Sequence, residues 1–304
     1  MKKAALFLLF IGVFFICSGL VINYQIQVQI QFNIAKKKSP IIKQNDYYRD
    51  YDFNYVKRVT NAYPKNYQDL LNIIYSTLNN GYDSISFYCS DEYVDCLKDI
   101  EELGGNQEKL STINNYVHPY NSFENAKILY NETGNIKIDF KKYYNAEDIT
   151  LLNSKVDSIY SALYIPTDSD IKNIKRFHDY IINSTRYDSD RVNKNLLNYR
   201  SNIAYGSLIE GYAVCGGYSD AMQLFLDKMN LKNFKVATNE HVWNAVLLDG
   251  RWYNIDLTWD DPVVSDGLDY LDDTYFLIKT ERMLKYDTTQ HTFNIDNYSE
   301  LKNS

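Results

Sequence analysis

The stretch His241-Val-Trp-Asn-Ala-Val-Leu-Leu-Asp-Gly-Arg-Trp-Tyr-Asn-Ile-Asp256 predicts a β-hairpin. Residues 241–248 alternate in the manner of a strand, and a second strand follows the turn. Asp249-Gly250 is a strong signal for a two-residue turn. A loop of that length pairs Leu248 with Arg251 and sets the register of the whole hairpin.

That register makes a specific prediction about three side chains. Paired positions sum to a constant, so Asp256 lies opposite Trp243 and one diagonal step from His241. All three then share one face, and an imidazole and a carboxylate at that spacing can close to a hydrogen bond. A slip of one residue would send Asp256 to the opposite face.

A second motif lies upstream, in Gly211-Tyr-Ala-Val-Cys-Gly-Gly-Tyr218. A helical period begins at its cysteine and continues through the apolar positions Ala221, Met222, Phe225, Leu226 and Met229. Cys215 is therefore expected at a helix N-terminus, where backbone N–H groups and the helix dipole stabilise a thiolate and can hold an oxyanion. We expect Gly216 and Gly217 to leave room for a substrate carbonyl. Taken alone, the motif favours a buried structural cysteine at a tight turn over a nucleophile.

The two motifs together predict a catalytic triad. A cysteine nucleophile gains from an imidazole that takes its proton and later gives one to the leaving group. A carboxylate fixes the tautomer and orientation of that imidazole. Cys215 as nucleophile, His241 as general acid/base and Asp256 as orienting group fill these three roles.

His178 is a second candidate base. It lies on the apolar stripe of a predicted helix that Thr167–Asp170 can cap, with Ile174 and Ile181 on the same face. We favour a core histidine that bonds a backbone carbonyl, because His241 has the better place relative to Cys215.

These blocks resemble the bacterial transglutaminase-like superfamily. The resemblance rests on Gly-x-x-x-Cys-x-Gly-Tyr at 211–218, His-x-Trp-Asn at 241–244 and the run at 249–262, and it extends over roughly residues 165–265. It implies an α+β, papain-like core, with a helix bearing Cys215 packed on an antiparallel sheet bearing His241 and Asp256. Members include cross-linking enzymes, peptidases, amidases and proteins that have lost activity.

Several residues near the motifs remain less defined. Tyr205 is a candidate to complete the oxyanion hole, although core packing explains it equally well. The three tryptophans, Trp243, Trp252 and Trp259, are expected to pack the hairpin. Seven aspartates lie between Asp256 and Asp273, and their spacing lacks the EF-hand pattern, so a solvated acidic loop is favoured over a calcium site. We predict no cofactor and no metal, and name no partner for His291.

Residues 63–147 predict a small α/β unit before the catalytic domain, which we place at 148–304. Helical periods cover 67–78 and 93–103, a strand follows the first of them, and a hairpin turns at 132–134. Cys89 and Cys96 are seven residues apart, and in an exported protein they could be bonded or be two buried thiols.

The N-terminus predicts export. Residues 4–22 form an uncharged apolar run behind two lysines, long enough to span a bilayer, so we assign 1–23 to an anchor or signal and 24–62 to a linker. An uncleaved anchor in the cell membrane with the domain outside is favoured over a cleaved signal or a lipid anchor at Cys17.

Composition narrows the partners. The chain has 304 residues and a net charge of -7, which argues against nucleic-acid binding and favours protein, peptide or glycan partners. We therefore expect an exported enzyme that acts on amide bonds through a Cys215 thioester. A non-catalytic envelope module that binds proteins or glycans on the same fold is the alternative.

Overall fold

The computed structural model describes residues 40–261 and 272–304, and it has a mixed α+β fold with antiparallel sheets. The helices are α1 (Tyr67–Asn79), α2 (Cys96–Gly105), α3 (Gln107–Asn114), α4 (Ala146–Leu163), α5 (Asp170–Ser184), α6 (Ser189–Lys194), α7 (Cys215–Lys228) and α8 (Thr280–Tyr286). Short 3-10 turns cover Pro119–Asn121 and Ser299–Asn303, and a π-helical turn covers Gly206–Glu210.

The strands form three groups. They are β1 (Ser84–Tyr88), β2 (Phe123–Tyr130), β3 (Asn135–Lys142), β4 (Arg186–Tyr187), β5 (Tyr212–Ala213), β6 (Asn233–Ala237), β7 (Val242–Leu248) and β8 (Arg251–Ile255). One antiparallel sheet has the order β1-β3-β2 and another the order β6-β7-β8, while β4 and β5 form a short parallel pair. The predicted helices, strand and hairpin of residues 63–147 are confirmed.

The side chains of β7 point alternately into two apolar clusters, one on each face of the strand. Trp243 and Ala245 belong to the apolar cluster that contains α1, α2 and the first sheet. Val246 and Leu248 belong to the cluster built from α4, α5 and α7. The central sheet is therefore buried on both faces.

Residues 40–62 differ from the predicted linker. Phe53 and Val56 are fully buried in the first apolar cluster, and Arg49 is buried in an ion pair with Asp227. The sequence there has no helical or strand period, so single anchoring residues attach the segment and periodicity does not reveal them. Residues 24–39 and the predicted anchor at 4–22 lie outside the described residues. Within the described ranges, no helix is long and apolar enough to cross a membrane.

Cys89 and Cys96 form a disulfide, with their Cα atoms 5.8 Å apart. The bond joins the end of β1 to the first residue of α2. The sequence left open whether the two cysteines are bonded, and in the structure they are.

Candidate active site

The β7–β8 hairpin has the predicted register. Leu248 pairs with Arg251 and Asn244 with Ile255, so the same sum places Asp256 opposite Trp243. Positive φ angles at Asp249 (49°) and Gly250 (76°) give the tight two-residue turn its backbone conformation.

His241 and Asp256 flank the strands at one end of the hairpin and are in contact. His241 directly precedes β7, and Asp256 directly follows β8. The His241 Nε2 and Asp256 Oδ2 atoms are 2.5 Å apart, and both residues are buried. The diagonal contact expected from the register therefore forms.

Cys215 is the first residue of α7, as the sequence predicts, and is a half-buried free thiol. Its thiol lies close enough to His241 to contribute to the raised pKa of that imidazole. Because Asp256 occupies Nε2, the Nδ1 atom is the ring nitrogen that remains for the sulfur. The structure thus places Cys215 beside the hydrogen-bonded pair of His241 and Asp256.

Contacts of Ser219 and Asn244 attach α7 to β7. The Ser219 hydroxyl lies within hydrogen-bond distance of two carbonyl oxygens, those of Cys215 at 2.7 Å and Val242 at 2.9 Å, and the Asn244 amide donates to the Ser219 carbonyl at 3.0 Å. Ser219 lies one helical turn after Cys215, and Val242 follows His241. The nucleophile and the imidazole are therefore carried on elements that are bonded directly to each other.

The glycines after Cys215 have a different role from the one predicted. A Cβ atom at Gly216 would lie 2.5 Å from the Asn202 carbonyl, and one at Gly217 would lie 2.4 Å from the Ser201 carbonyl. Backbone therefore fills the space that we assigned to a substrate carbonyl. The glycines let the first turn of α7 lie directly on residues 201–203.

The start of α7 leaves hydrogen-bond donors at the sulfur. The Val214 carbonyl accepts from the N–H groups of Gly217 and Tyr218, at 2.9 and 3.2 Å. Among the hydrogen bonds of the described residues, none uses the N–H of Cys215 or Gly216. These N–H groups are available to a negatively charged oxygen beside the thiol.

Electrostatics favours a charged imidazole. Burial lowers the pKa of His241, but the charge and hydrogen bond of Asp256, with a contribution from Cys215, outweigh it and raise that pKa to about 10. Burial raises the pKa of Asp256, and its bonds to His241 and His291 overcome this and bring it down to about 2. Asp256 thus favours the imidazolium form of His241, which can give a proton to a leaving group.

Asp256 also has a second histidine partner, which the sequence did not suggest. His291 Nε2 lies 2.9 Å from the Asp256 Oδ2 atom, and its Nδ1 lies 2.8 Å from Asp287. The Asp256 Oδ1 atom accepts from the N–H groups of Thr258 and Trp259. Both oxygens of this buried carboxylate are therefore engaged.

One atom each of His241, Asp256 and His291 could ligate a metal ion, since the three atoms lie within 4.8 Å of one another. The same atoms already hydrogen-bond each other, so their polar groups are satisfied by protons. We route no chemistry through a metal.

The other predicted residues take structural positions. His178 is fully buried, as favoured, but it bonds the carboxylates of Asp260 and Asp179 in place of a backbone carbonyl. The Arg200 guanidinium stacks over the Tyr205 ring, 4.3 Å from its centroid, which agrees with packing. Trp243 donates to Asn254 within the hairpin.

At the start of the acidic stretch, Asp260 is buried, whereas Asp272 and Asp273 at its end are exposed as the predicted solvated loop requires. Asp260 is fully buried, bonds His178 and accepts from the Tyr275 N–H, while Asp261 bonds Tyr218. These contacts fasten the turn after Asp256 to α5 and α7. Residues 262–271 lie outside the described residues.

Tyr187 is a further residue near the thiol that the motifs did not reveal. It pairs with Ala213 in the β4–β5 ladder, two residues before Cys215. Burial, followed by the charge of Cys215, raises the pKa of its phenol. A tyrosine in a two-residue strand has no sequence signal of its own.

Comparison with known proteins gives limited similarity. No family model matches the chain, and no curated protein matches it. Among solved structures, a TGase aligns with a TM-score of 0.31 and 17% identity, over 45% of each chain. A proposed cysteine protease from Cytophaga hutchinsonii aligns with a TM-score of 0.28 and 11% identity, over 51% of this chain and 69% of that one. The chain thus spans under half the length of the TGase.

Proposed function

We propose that this chain is an exported thiol enzyme of transglutaminase-like type, which cleaves or exchanges amide bonds on a papain-like arrangement of α7 and the β6-β7-β8 sheet. Cys215 is the nucleophile, His241 the general acid/base and Asp256 the orienting group. The observation that carries the proposal is the buried pair of His241 and Asp256, whose Nε2 and Oδ2 atoms are 2.5 Å apart, together with a Cys215 thiol close enough to contribute to the raised pKa of His241.

The reaction follows from this geometry. The Cys215 thiolate attacks the amide carbonyl, and the His241 imidazolium gives its proton to the leaving nitrogen as the C–N bond breaks. The products of this half are a thioester and a free amine or ammonia. Water or a second amine then attacks the thioester while His241 takes up a proton, and the thiolate leaves with the acyl group transferred.

The first turn of α7 provides hydrogen-bond donors for both halves of the reaction. Each half passes through a tetrahedral intermediate with a negative oxygen. The N–H groups of Cys215 and Gly216 have no acceptor among the described residues and point from a helix N-terminus. They are the donors we assign to that oxygen.

Two features support export and an extracellular substrate. The Cys89–Cys96 disulfide is typical of proteins that fold in oxidising compartments. Residues 4–22 have the composition of a membrane anchor. Proteins or peptides of the cell envelope or exterior are accordingly the substrates we propose.

An assay with two readouts tests the function. The full-length chain is incubated with a protein pool and a fluorescent primary amine, and label incorporation and peptide release are both measured. The account predicts at least one of these signals from the native chain, none from Cys215→Ala, and an unchanged signal from the control Cys17→Ala. Signals that survive Cys215→Ala would contradict the proposal, and no signal from the native chain would favour the binding module.

A further inference from the structure

A cleft of about 500 Å³ lies at the C-terminal end of α7. Its walls include Leu224 and Lys228 of that helix and Leu231 just after it. Because α7 begins at Cys215 and rises by about 1.5 Å per residue, the cleft lies about 20 Å from the sulfur. Its volume is within the range of about 300–1,000 Å³ that is usual for ligand pockets. The cleft is therefore separate from the triad and large enough for a small molecule.

Three aromatic rings are packed against one another in this cleft. The ring centroids of Tyr47, His118 and Tyr120 lie 4.8 Å apart in each of the three pairs. The Asn153 amide donates to the Tyr47 hydroxyl at 2.8 Å and fixes that ring further. Tyr47 is half-buried and Tyr120 is buried, so Tyr120 lies deeper in the cleft. Rings held in this way give a ligand a preorganised apolar surface.

Two residues that line the cleft have polar atoms without a partner among the described residues. These atoms are the Tyr120 hydroxyl oxygen and the Arg49 Nε. Both residues are only 4% exposed to solvent. Buried polar groups in native proteins are nearly always hydrogen-bonded. The two atoms therefore indicate a ligand that offers an acceptor to the N–H and a donor or acceptor to the hydroxyl.

The Tyr120 hydroxyl is directed towards the cleft. Burial, and then the electrostatic effects of Tyr47 and Asp157, raise the pKa of this phenol. Tyr47 and Asp157 both line the cleft, so the hydroxyl end of the ring lies on their side. A neutral hydroxyl in that place can both donate and accept hydrogen bonds.

The buried charges around the cleft are already paired. Three of the four carboxylates that line it have a cation partner, in the pairs Arg49 with Asp227, Lys228 with Asp157, and Arg58 with Asp50. The fourth carboxylate, Asp46, is exposed, and water and salt screen its charge. An ionic ligand would thus meet no unpaired buried charge to offset its own desolvation. The cleft suits a neutral polar ligand.

We propose that this cleft binds a neutral saccharide. A sugar ring carries no charge, its hydroxyls both donate and accept hydrogen bonds, and its C–H groups pack on aromatic rings. A sugar hydroxyl can accept from Arg49 Nε, and another can bond the Tyr120 hydroxyl. The rings of Tyr47 and Tyr120 provide the apolar surface for the C–H groups. This binding site goes beyond the proposed function and does not depend on the reaction of Cys215.

Titration with neutral trisaccharides tests the proposal. Chitotriose, cellotriose and maltotriose are each titrated into the full-length chain by calorimetry, in a polyoxyethylene detergent that contains no sugar. We expect at least one of them to bind one molecule per chain with a Kd below about 1 mM. If none of the three binds, the proposal is overturned. It is also overturned if tetramethylammonium or inorganic phosphate binds in this cleft more tightly than every trisaccharide.

Tyr120→Phe removes the unpartnered hydroxyl and keeps the ring. We expect the Kd of the tightest-binding trisaccharide to rise about tenfold, the effect of one hydrogen bond. Tyr67→Phe is the matched control, because it removes another buried tyrosine hydroxyl, in α1 and outside the cleft. Its Kd should equal that of the native chain. A native Kd in Tyr120→Phe, or the same weakening in both variants, would contradict the proposal.

A measurement on the native chain covers the case in which Tyr120→Phe does not fold. In ¹⁵N-labelled chain, we expect the trisaccharide to shift the side-chain amide signal of Asn153, which bonds Tyr47 in the cleft. The backbone amide of Gly216, beside Cys215, should not move. A shift at Gly216 without one at Asn153 would place the sugar at the triad and overturn this inference. Since no step measures amide chemistry, an inactive Cys215 refutes the proposed function alone.

Discussion

The two ends of α7 both bury charges, but they use them differently. At the N-terminal end, the Asp256 carboxylate bonds the His241 ring, and the half-buried thiol of Cys215 contributes to the raised pKa of that ring. At the C-terminal end, the Arg49 guanidinium bonds both oxygens of Asp227, at 2.9 and 2.7 Å. The first end combines a thiol with an imidazole, whereas the second end holds a guanidinium against a carboxylate.

The two ion pairs differ in their cation, which is an arginine in one pair and a histidine in the other. An arginine keeps its charge throughout the pH range of proteins, so its pair with Asp227 is a fixed attachment for residues 40–62. A histidine gains or loses a proton readily, so the pair of His241 and Asp256 can serve chemistry. The same helix thus carries a structural ion pair at one end and a reactive one at the other.

Among changes at the N-terminal end of α7, Asp256→Asn should have the largest effect on activity. The amide cannot accept hydrogen bonds at both of its positions, so His241 loses its orientation and its counter-charge. We expect kcat/KM to fall by about 10⁴-fold for whichever reaction the native chain performs. A loss of less than about tenfold in a folded variant would remove Asp256 from the triad.

Among changes at the C-terminal end of α7, Arg49→Met should have the largest effect on stability. Arg49 is 4% exposed, and its loss leaves Asp227 buried without its cation. We expect the free energy of unfolding, measured by urea titration, to fall by about 3–5 kcal/mol, with no change in the alkylation profile of Cys215.

Arg58→Met is the control for Arg49→Met. Arg58 pairs with Asp50 and Asp52, which lie largely in solvent. We expect a loss below about 1 kcal/mol. Equal losses in the two variants would contradict the structural role of the buried pair.

His118 makes the stability at the C-terminal end of α7 depend on pH. Burial lowers the pKa of His118 from 6.5 to about 4. The unfolded chain therefore takes up this proton at a higher pH than the folded one, so the stabilisation is complete above pH 6.5 and is lost as the pH falls towards 4.

His118→Asn tests this dependence. The amide oxygen can still accept the Tyr120 N–H that His118 Nδ1 accepts at 3.1 Å. Compared with the native chain, we expect the loss of unfolding free energy between pH 6.5 and 4 to be smaller by about 3 kcal/mol. Identical pH profiles of stability would show that His118 is not held neutral.

Short-range sequence patterns predicted the placement of Cys215, His241 and Asp256 well. The Asp249-Gly250 turn and the strand alternation were sufficient for the register that brings His241 and Asp256 together. The start of the helical period placed Cys215 at the first residue of α7. Each of these features depends on residues close together in the chain, where periodicity is informative.

Contacts between distant parts of the chain were not predictable in this way. His291 reaches Asp256 from 35 positions further along, and the segment around it has no periodic pattern. Arg49 meets Asp227 across 178 positions, which likewise leaves no trace in local spacing. The domain boundaries and the location outside the cell stay predictions.

The central claim is that His241 activates Cys215, and the alkylation rate of Cys215 at pH 7 tests it most directly. The rate constant with iodoacetamide is measured for the native full-length chain, for His241→Ala and for a free thiol peptide. We expect the native rate to exceed that of the peptide at least tenfold, and His241→Ala to abolish most of the difference. A native rate equal to that of the peptide, or one unchanged by His241→Ala, would contradict it.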